Sequence, residues 1–250
     1  MEQDKSPVPA HPLDEFVTPE RAARFREVLA RRTVRVVVVL EDCGNPHNAA
    51  AALRSCDAMG LHRVYLVTPH QEFQVSRRVG RGADRYLDLR VFETIEETYA
   101  ALRSEGYRIL ASDLSGENRL DVQELAGLHR EQPLALVFGN ERTGISSAAV
   151  DGADGTFVIP MVGLMQSLNL SVAVAVTLYS VRQTELDSNY PGDLPAEEQR
   201  AFYDQWMQRQ YAERMRRPQL DQFGNPIDIY AAPPTRTKRR KGPRSHGPVR

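Results

Sequence analysis

The stretch LVFGNERTGIS, residues 136–146, decides the fold class of this chain. Its first three residues are apolar, as in a buried strand, and a polar loop bracketed by Gly139 and Gly144 follows before a helix start near Ser146. A strand that runs into such a loop and then into a helix is how α/β proteins place backbone N–H groups and side chains around a ligand. The stretch therefore predicts a ligand site at the carboxyl end of a strand.

The same loop resembles a nucleotide-phosphate loop at first sight. Gly139 and Gly144 have the spacing of GxxxxGK[ST], and Ser146 stands at the hydroxyl position. However, Ile145 occupies the lysine position, so no cation is available to reach the β- and γ-phosphates. This substitution argues against a nucleoside triphosphatase.

Strands and helices alternate around this stretch. Residues 34–40 are mainly β-branched, which is typical of a strand buried on both faces of a parallel sheet. Five further strands are expected at residues 64–68, 86–92, 108–113, 134–138 and 156–159. Helices are expected from Thr18-Pro19 to about residue 30, at 48–59 with Asn48 as the cap, and at 94–104 and 168–187. The alternation predicts an α/β fold with a parallel sheet flanked by helices.

Composition narrows the class of protein. The chain is 41% hydrophobic and 26% charged, which is ordinary for a globular protein. No apolar run approaches the roughly 18 residues that span a bilayer, and the first residues lack the apolar core of a secretory signal. Cys43 and Cys56 form no disulfide framework, and the six histidines lack metal-ligand spacing. We therefore expect a reduced, cytoplasmic protein without metal or membrane contacts.

The two ends of the chain differ from its centre. Residues 1–17 are expected to be a disordered leader, and residues 189–218 a helical extension whose helix covers 196–217. Residues 219–250 are predicted to be a basic, largely disordered tail. The segment 235–250 alone holds seven Lys or Arg and no acid, which leaves 25 basic and 33 acidic residues elsewhere. Such a tail either adds sequence-independent affinity for nucleic acid or is a solvated segment.

Two further stretches identify a family. They are NPHNAAAALRSCDAMG at 45–60 and IPMVGLMQSLNLSVA at 159–173. Together with 136–146, they closely resemble the three motifs of the SPOUT RNA 2′-O-ribose methyltransferases, and within that superfamily the TrmH branch, which methylates a guanosine in the D-loop of tRNA. The resemblance runs from about Thr18 to about Asp187 and implies a methyltransferase domain at 18–188 with a C-terminal trefoil knot.

The resemblance also implies functional residues. S-adenosylmethionine is expected to lie in the knot, contacted largely through the backbone of Ser112, Gly139, Ile159, Met161 and Leu168. The side chains of Ile159, Met161 and Leu168 are equally compatible with a place in the core. The expected catalytic residues are Arg54, Asn48, Glu141, Ser167 and Asn169. Arg54 is the main one, and because a guanidinium stays protonated below about pH 12, clamping a phosphate and stabilising an alkoxide suits it better than acting as a base.

Several alternatives remain open from the sequence. A ribosomal RNA 2′-O-methyltransferase and a catalytically silent RNA-binding protein of the same fold compete with the tRNA enzyme. Arg142 and the arginines between 77 and 85 either face RNA or are merely solvated. A homodimer is expected, because the helix from Leu168 to Tyr179 is apolar around most of its circumference and a symmetric partner would cover it.

Overall fold

The apolar runs of the sequence form one parallel sheet. In the computed structural model, residues 8–68, 82–114, 119–186 and 191–216 are described. Their seven strands are β1 (Val36–Glu41), β2 (Arg63–Val67), β3 (Asp88–Phe92), β4 (Arg108–Ser112), β5 (Arg119–Asp121), β6 (Leu134–Phe138) and β7 (Gly155–Val158). They lie in the order β3-β2-β1-β6-β4-β7-β5, and all neighbours are parallel. The predicted α/β class with a parallel sheet is confirmed.

Helices cover both faces of this sheet. They are α1 (Pro19–Ala30), α2 (Pro46–Ala58), α3 (Ile95–Ser104), α4 (Leu128–Glu131), α5 (Ser147–Gly152), α6 (Leu170–Leu186) and α7 (Ala196–Arg216). One hydrophobic cluster joins α2 and α6 to one face of the sheet, and a second joins α3 and α5 to the opposite face. Burial on both faces explains why β1 and β6 are apolar at almost every position.

The pairing of β1 with β6 sets the geometry of the molecule. Val36 pairs with Leu134 and Leu40 with Phe138, so the two central strands run in step and end together. The loops that follow, residues 42–45 and 139–146, therefore leave the sheet side by side. Two segments separated by about 100 residues in sequence thus meet at one edge, which is where ligands bind in parallel α/β sheets.

Some predicted boundaries were wrong. The third strand begins at Asp88 rather than at residue 86, because residues 83–85 form a 3₁₀ helix. β5 and α4 were missed, since elements of three or four residues show little periodicity. The helix start expected near Ser146 is confirmed, because α5 begins at Ser147 and is capped by Ser146. Helix α2 begins at Pro46 and is capped by the Asn45 side chain, which accepts a hydrogen bond from the His47 N–H at 2.9 Å. Asn48 was expected to be this cap and is instead inside the first turn.

The N-terminal segment and the C-terminal helix form a third cluster. Val8 and Val17 are buried, and Asp14 accepts hydrogen bonds from Tyr203 of α7 and Arg26 of α1. The prediction of a disordered leader is therefore wrong for residues 8–17, because α7 supplies the partners that the leader's own sequence lacks. Residues 1–7, the arginines at 77, 78 and 81, and the basic tail lie outside the described residues.

Trp206 joins α7 to the rest of the molecule. Its buried ring packs edge-on against Phe25 of α1 and Tyr86, with ring centroids 5.3 and 5.2 Å away. Tyr203 and Met207 of α7 are buried in the same cluster. The helical extension is thus packed against the N-terminal helix.

We expect Trp206→Ala to lower the free energy of unfolding by about 3–5 kcal/mol, because it removes a large buried ring and leaves a cavity. Met215→Ala, an exposed position on the same helix, should change the free energy by less than about 0.5 kcal/mol. Urea denaturation followed by circular dichroism measures both. Equal, small losses would show that α7 does not contribute to the stability of the fold.

Candidate functional site

A cavity of about 440 Å³ opens at the carboxyl ends of β4, β6 and β7. All five residues expected to contact the cofactor line it: Ser112, Gly139, Ile159, Met161 and Leu168. Two of the expected catalytic residues, Glu141 and Ser167, line it as well. The three loops that follow these strands therefore form one concave site. It contains parts of the motifs at 136–146 and 159–173.

The loop between β6 and α5 is a closed hairpin. The backbone N–H and C=O of Asn140 and Gly144 bond to each other at 3.0 and 2.9 Å, and Gly144 has a φ of +75°, which favours glycine. The Asn140 side-chain oxygen accepts a hydrogen bond from the Arg142 N–H at 2.8 Å. These bonds hold the backbone of the loop in one shape without help from a ligand.

Gly139 is required by this hairpin. A Cβ at this position would lie 2.3 Å from the Cα of Ile145 and 2.4 Å from its nitrogen. Backbone atoms cannot move aside as a flexible side chain can, so any larger residue would displace the loop. Gly139, which the sequence analysis assigned to cofactor contact, lets the two ends of the loop approach each other.

Three of the expected catalytic residues form a hydrogen-bonded chain. Asn48 donates to the Glu141 carboxylate at 2.6 Å, and its side-chain oxygen accepts from Asn169 at 3.1 Å. The Asn169 oxygen in turn accepts from the Ser171 N–H at 2.9 Å and so caps α6. Asn48 thus joins one residue from each of the other two motifs, and it can do so because Asn45, not Asn48, caps α2.

Arg54 lies apart from this chain. It is exposed on α2, six residues beyond Asn48 and therefore about 9 Å further along the helix axis. It does not line the cavity, and its guanidinium has no hydrogen bond or ion pair with the described residues. The structure thus leaves the expected main catalytic residue exposed and outside the lining of the cavity.

Two other arginines, Arg142 and Arg85, differ in whether their guanidinium is in an ion pair. Arg142 is exposed at the turn of the hairpin and lines the cavity. Arg85, grouped by sequence with the possible RNA-facing arginines, pairs with Glu213 of α7. Of the two, only Arg142 has a guanidinium without an ion pair in the described chain.

The Cys43 thiol lies beside Glu141. Burial, assisted by the nearby Glu141 carboxylate, raises the pKa of the Cys43 thiol to about 12, so the thiol stays protonated and weakly nucleophilic at neutral pH. Within the described ranges, no group of three or more His, Cys, Asp or Glu residues could hold a metal ion. The helices in those ranges are also too short or too polar to cross a membrane.

Glu41 is a residue beside the site that sequence reasoning missed. It is the last residue of β1 and only 8% exposed, and its carboxylate accepts hydrogen bonds from both the N–H and the hydroxyl of Ser146. The available signal was a single acid placed directly after five apolar strand residues. A charge at such a position is unusual, because burying it costs free energy.

An apolar surface lies beside the site. Val172, Val176 and Tyr179 form an exposed stripe on α6, on the face opposite its buried residues. The preceding loop exposes four more apolar side chains: Val162, Leu164, Met165 and Leu168. Soluble monomers rarely expose so many neighbouring large apolar residues without a function.

A protein-family model matches this chain. The family is described as the SpoU rRNA Methylase family, and the match covers residues 35–179, which include all three motifs.

Individual proteins are also similar to the chain. The tRNA (guanosine(18)-2′-O)-methyltransferase of Escherichia coli K12 is 36% identical over 193 residues, which cover 75% of this chain and 82% of that protein. The enzyme of the same name from Thermus thermophilus is 36% identical over 68% of this chain and 85% of its own length. The crystal structure of the A. aeolicus TrmH/SpoU tRNA modifying enzyme superposes with a TM-score of 0.68 at 30% identity, covering 76% of this chain and 96% of that one.

We expect Gly139→Ala to lower the free energy of unfolding by about 1–3 kcal/mol, because the added methyl group overlaps loop backbone. Gly163→Ala is the matched control, since a Cβ there meets no atom within 4 Å, and it should change the free energy by less than about 0.5 kcal/mol. Urea denaturation gives the values, and hydrogen exchange should accelerate at residues 140–145 in Gly139→Ala only. Unchanged exchange in that variant would contradict the close approach.

Proposed function

The chain belongs to the SpoU rRNA Methylase family, and on that premise we propose that it transfers a methyl group from S-adenosylmethionine to the ribose 2′-hydroxyl of a guanosine in the D-loop of tRNA, at position 18. The observation that carries this proposal is the Glu141–Asn48–Asn169 chain, which unites the three motifs beside one cavity. Relatives at 33–36% identity are named for this reaction. A tRNA substrate also agrees with the cytoplasmic setting expected from the sequence.

The cavity fits the proposed cofactor. Its volume of about 440 Å³ falls within the range of roughly 300–1,000 Å³ found for small-molecule sites. S-adenosylmethionine supplies an electrophilic methyl group on a positively charged sulfur. Glycine backbone and apolar side chains, such as Gly139, Ile159 and Leu168, suit an adenosyl group, and the Glu141 carboxylate on the wall suits a cation.

The polar residues of the three motifs have separate roles in this proposal. We assign to Arg54 the binding of an RNA phosphate and the stabilisation of negative charge that develops on the 2′-oxygen. Glu141, held by Asn48, provides a carboxylate with which an arginine can pair. Asn169 and Asn48 hold the motifs in register, and Ser167 contributes a hydroxyl to the cavity wall. The residues thus position the ribose, so that the O–CH3 bond forms as the S–CH3 bond breaks and S-adenosylhomocysteine leaves. The hydroxyl proton passes to solvent water, and the positive charge of Arg54 stabilises the 2′-oxygen as it does so.

Arg54→Ala should reduce methyl transfer to tRNA by about 10²–10³-fold, as expected for removal of one group that stabilises transition-state charge. Affinity for S-adenosylmethionine should be unchanged, because Arg54 does not line the cavity. Tritiated-methyl transfer and calorimetry measure the two quantities. Arg103→Ala, which removes an exposed arginine bonded to Gly152 before β7, is the control and should retain full turnover. Normal turnover in Arg54→Ala would refute its assignment.

A second experiment tests which RNA the protein methylates. The family description names ribosomal RNA, whereas the relatives above are named for tRNA. Mapping of 2′-O-methylation on total RNA incubated with and without the protein distinguishes them. A new mark confined to ribosomal RNA would replace the proposed substrate, and no mark on any RNA would favour a binding protein that lacks catalysis.

We further propose a homodimer in which the exposed stripe of α6 and the 162–168 loop form the interface. A symmetric partner would cover Val172, Val176 and Tyr179 with the same residues of the second copy.

We also propose the C-terminal trefoil knot that the resemblance implies. After β7 the chain returns across the sheet to pack α6 against α2, a path that is compatible with threading through a loop.

Light scattering at micromolar concentration should give a dimeric mass for the full chain. Val176→Glu should shift it toward the monomer, because a carboxylate at the centre of an apolar interface would be desolvated without a partner. Ala100→Glu, an exposed position on α3 on the opposite face of the sheet, controls for the added charge. A monomeric mass for the unsubstituted protein would contradict the dimer.

A further inference from the structure

The loop that carries Glu141 is hydrogen-bonded at one end to Glu41, the last residue of β1, and at the other to Asp42, which follows it. Near its start, the Asn140 side-chain nitrogen donates to the Asp42 carbonyl oxygen at 2.6 Å. At its end, Ser146 donates to Glu41 twice, from its N–H at 2.9 Å and from its hydroxyl at 2.6 Å. We call this second attachment the Glu41–Ser146 clasp.

Glu41 places a carboxylate at a buried strand position where an apolar residue would cost less free energy. Glu41 is buried, yet no cation pairs with it among the described residues. The Ser146 N–H and hydroxyl are its hydrogen-bond donors in the described chain. Because a buried charge without a cation costs free energy, stability alone does not explain its presence in a strand that otherwise reads VVVVL.

The clasp acts on the segment that forms the site. Residues 139–145 all line the cavity, and the Ser146 hydroxyl also caps α5 by accepting from the Ala149 N–H at 3.1 Å. Glu141 meets Asn48 at 2.6 Å only if this segment and the start of α2 keep their relative places. The start of α2 follows the carboxyl end of β1, and the loop follows the carboxyl end of β6. The bond between Glu41 and Ser146 therefore fixes the position of the loop relative to α2.

We infer that Glu41 is a positioning residue of the methyl-transfer site, which acts through Ser146 to hold the 139–146 loop in the geometry that binds cofactor. This inference rests on the proposed function, since it concerns the same cavity. Glu41 contacts neither cofactor nor RNA in this role, and its effect reaches the site only through the loop.

The chain contains a matched control at the other end of the same strand. Asp193 accepts hydrogen bonds from the Thr33 hydroxyl and the Val34 N–H, both at 2.7 Å. This is the same chemistry, a carboxylate bound to one hydroxyl and one backbone N–H, but it lies beside the amino end of β1. Removing it should affect stability without affecting the cofactor loop.

The test compares Glu41→Ala, Glu41→Gln and Asp193→Ala in the full chain, by calorimetry with S-adenosylmethionine and by thermal melting. Glu41→Ala should weaken cofactor binding about tenfold or more and raise KM for the cofactor. Glu41→Gln should stay within about threefold of the unsubstituted protein, because its amide can bond both Ser146 groups. Asp193→Ala should lower the melting temperature yet bind cofactor normally.

Three outcomes decide the inference. Unchanged cofactor affinity in Glu41→Ala overturns it, and so does an equal loss of affinity in Asp193→Ala, which would mark a general effect of stability. If Glu41→Ala does not fold, Ser146→Ala decides, since it breaks the hydroxyl half of the clasp and must also weaken cofactor binding. Failure of the unsubstituted protein to bind S-adenosylmethionine would instead refute the proposed function on which the inference rests.

Discussion

The in-step pairing of β1 with β6 is the constraint on which the rest of the structure depends. Because Leu40 pairs with Phe138 and β1 continues only to Glu41, the loops that follow the two strands leave the sheet together, although they are far apart in sequence. Asn48 and Glu141 can then bond at 2.6 Å. A shift of one residue in this register would turn every side chain of β6 to the opposite face and separate the two motifs.

Polar groups fasten the ends of the central strand. Glu41 binds Ser146 at one end of β1, and Asp193 binds Thr33 and Val34 at the other. The hydrophobic core is non-directional and tolerates small displacements of a loop, whereas a hydrogen bond loses strength within a few tenths of an ångström. The apolar strands therefore provide stability, and the polar ends provide the accuracy that a binding site requires.

Local patterns predicted the parts of the molecule that local physics controls. The strand at 134–138 was placed without error, since five apolar residues before a glycine leave little choice. The cap of α2 was misplaced by three residues, because Asn45 and Asn48 are both good caps and Pro46 decides between them by preferring the first helical position. The order of residues 8–17 could not be predicted, since Val8 and Val17 are buried by residues distant in sequence.

The sequence by itself determined the α/β class, the motifs and ten candidate site residues, because strand periodicity, glycine spacing and motif identity are local properties. Tertiary structure alone decided which of these residues meet. It brought seven of them to one cavity, linked Asn48 to Glu141 and Asn169, left Arg54 exposed beyond the pocket, and revealed Glu41 as a buried partner of Ser146. Such contacts depend on strand register and helix packing. These bring together segments that are far apart in the sequence, and the distance between two residues along the chain does not predict their distance in space.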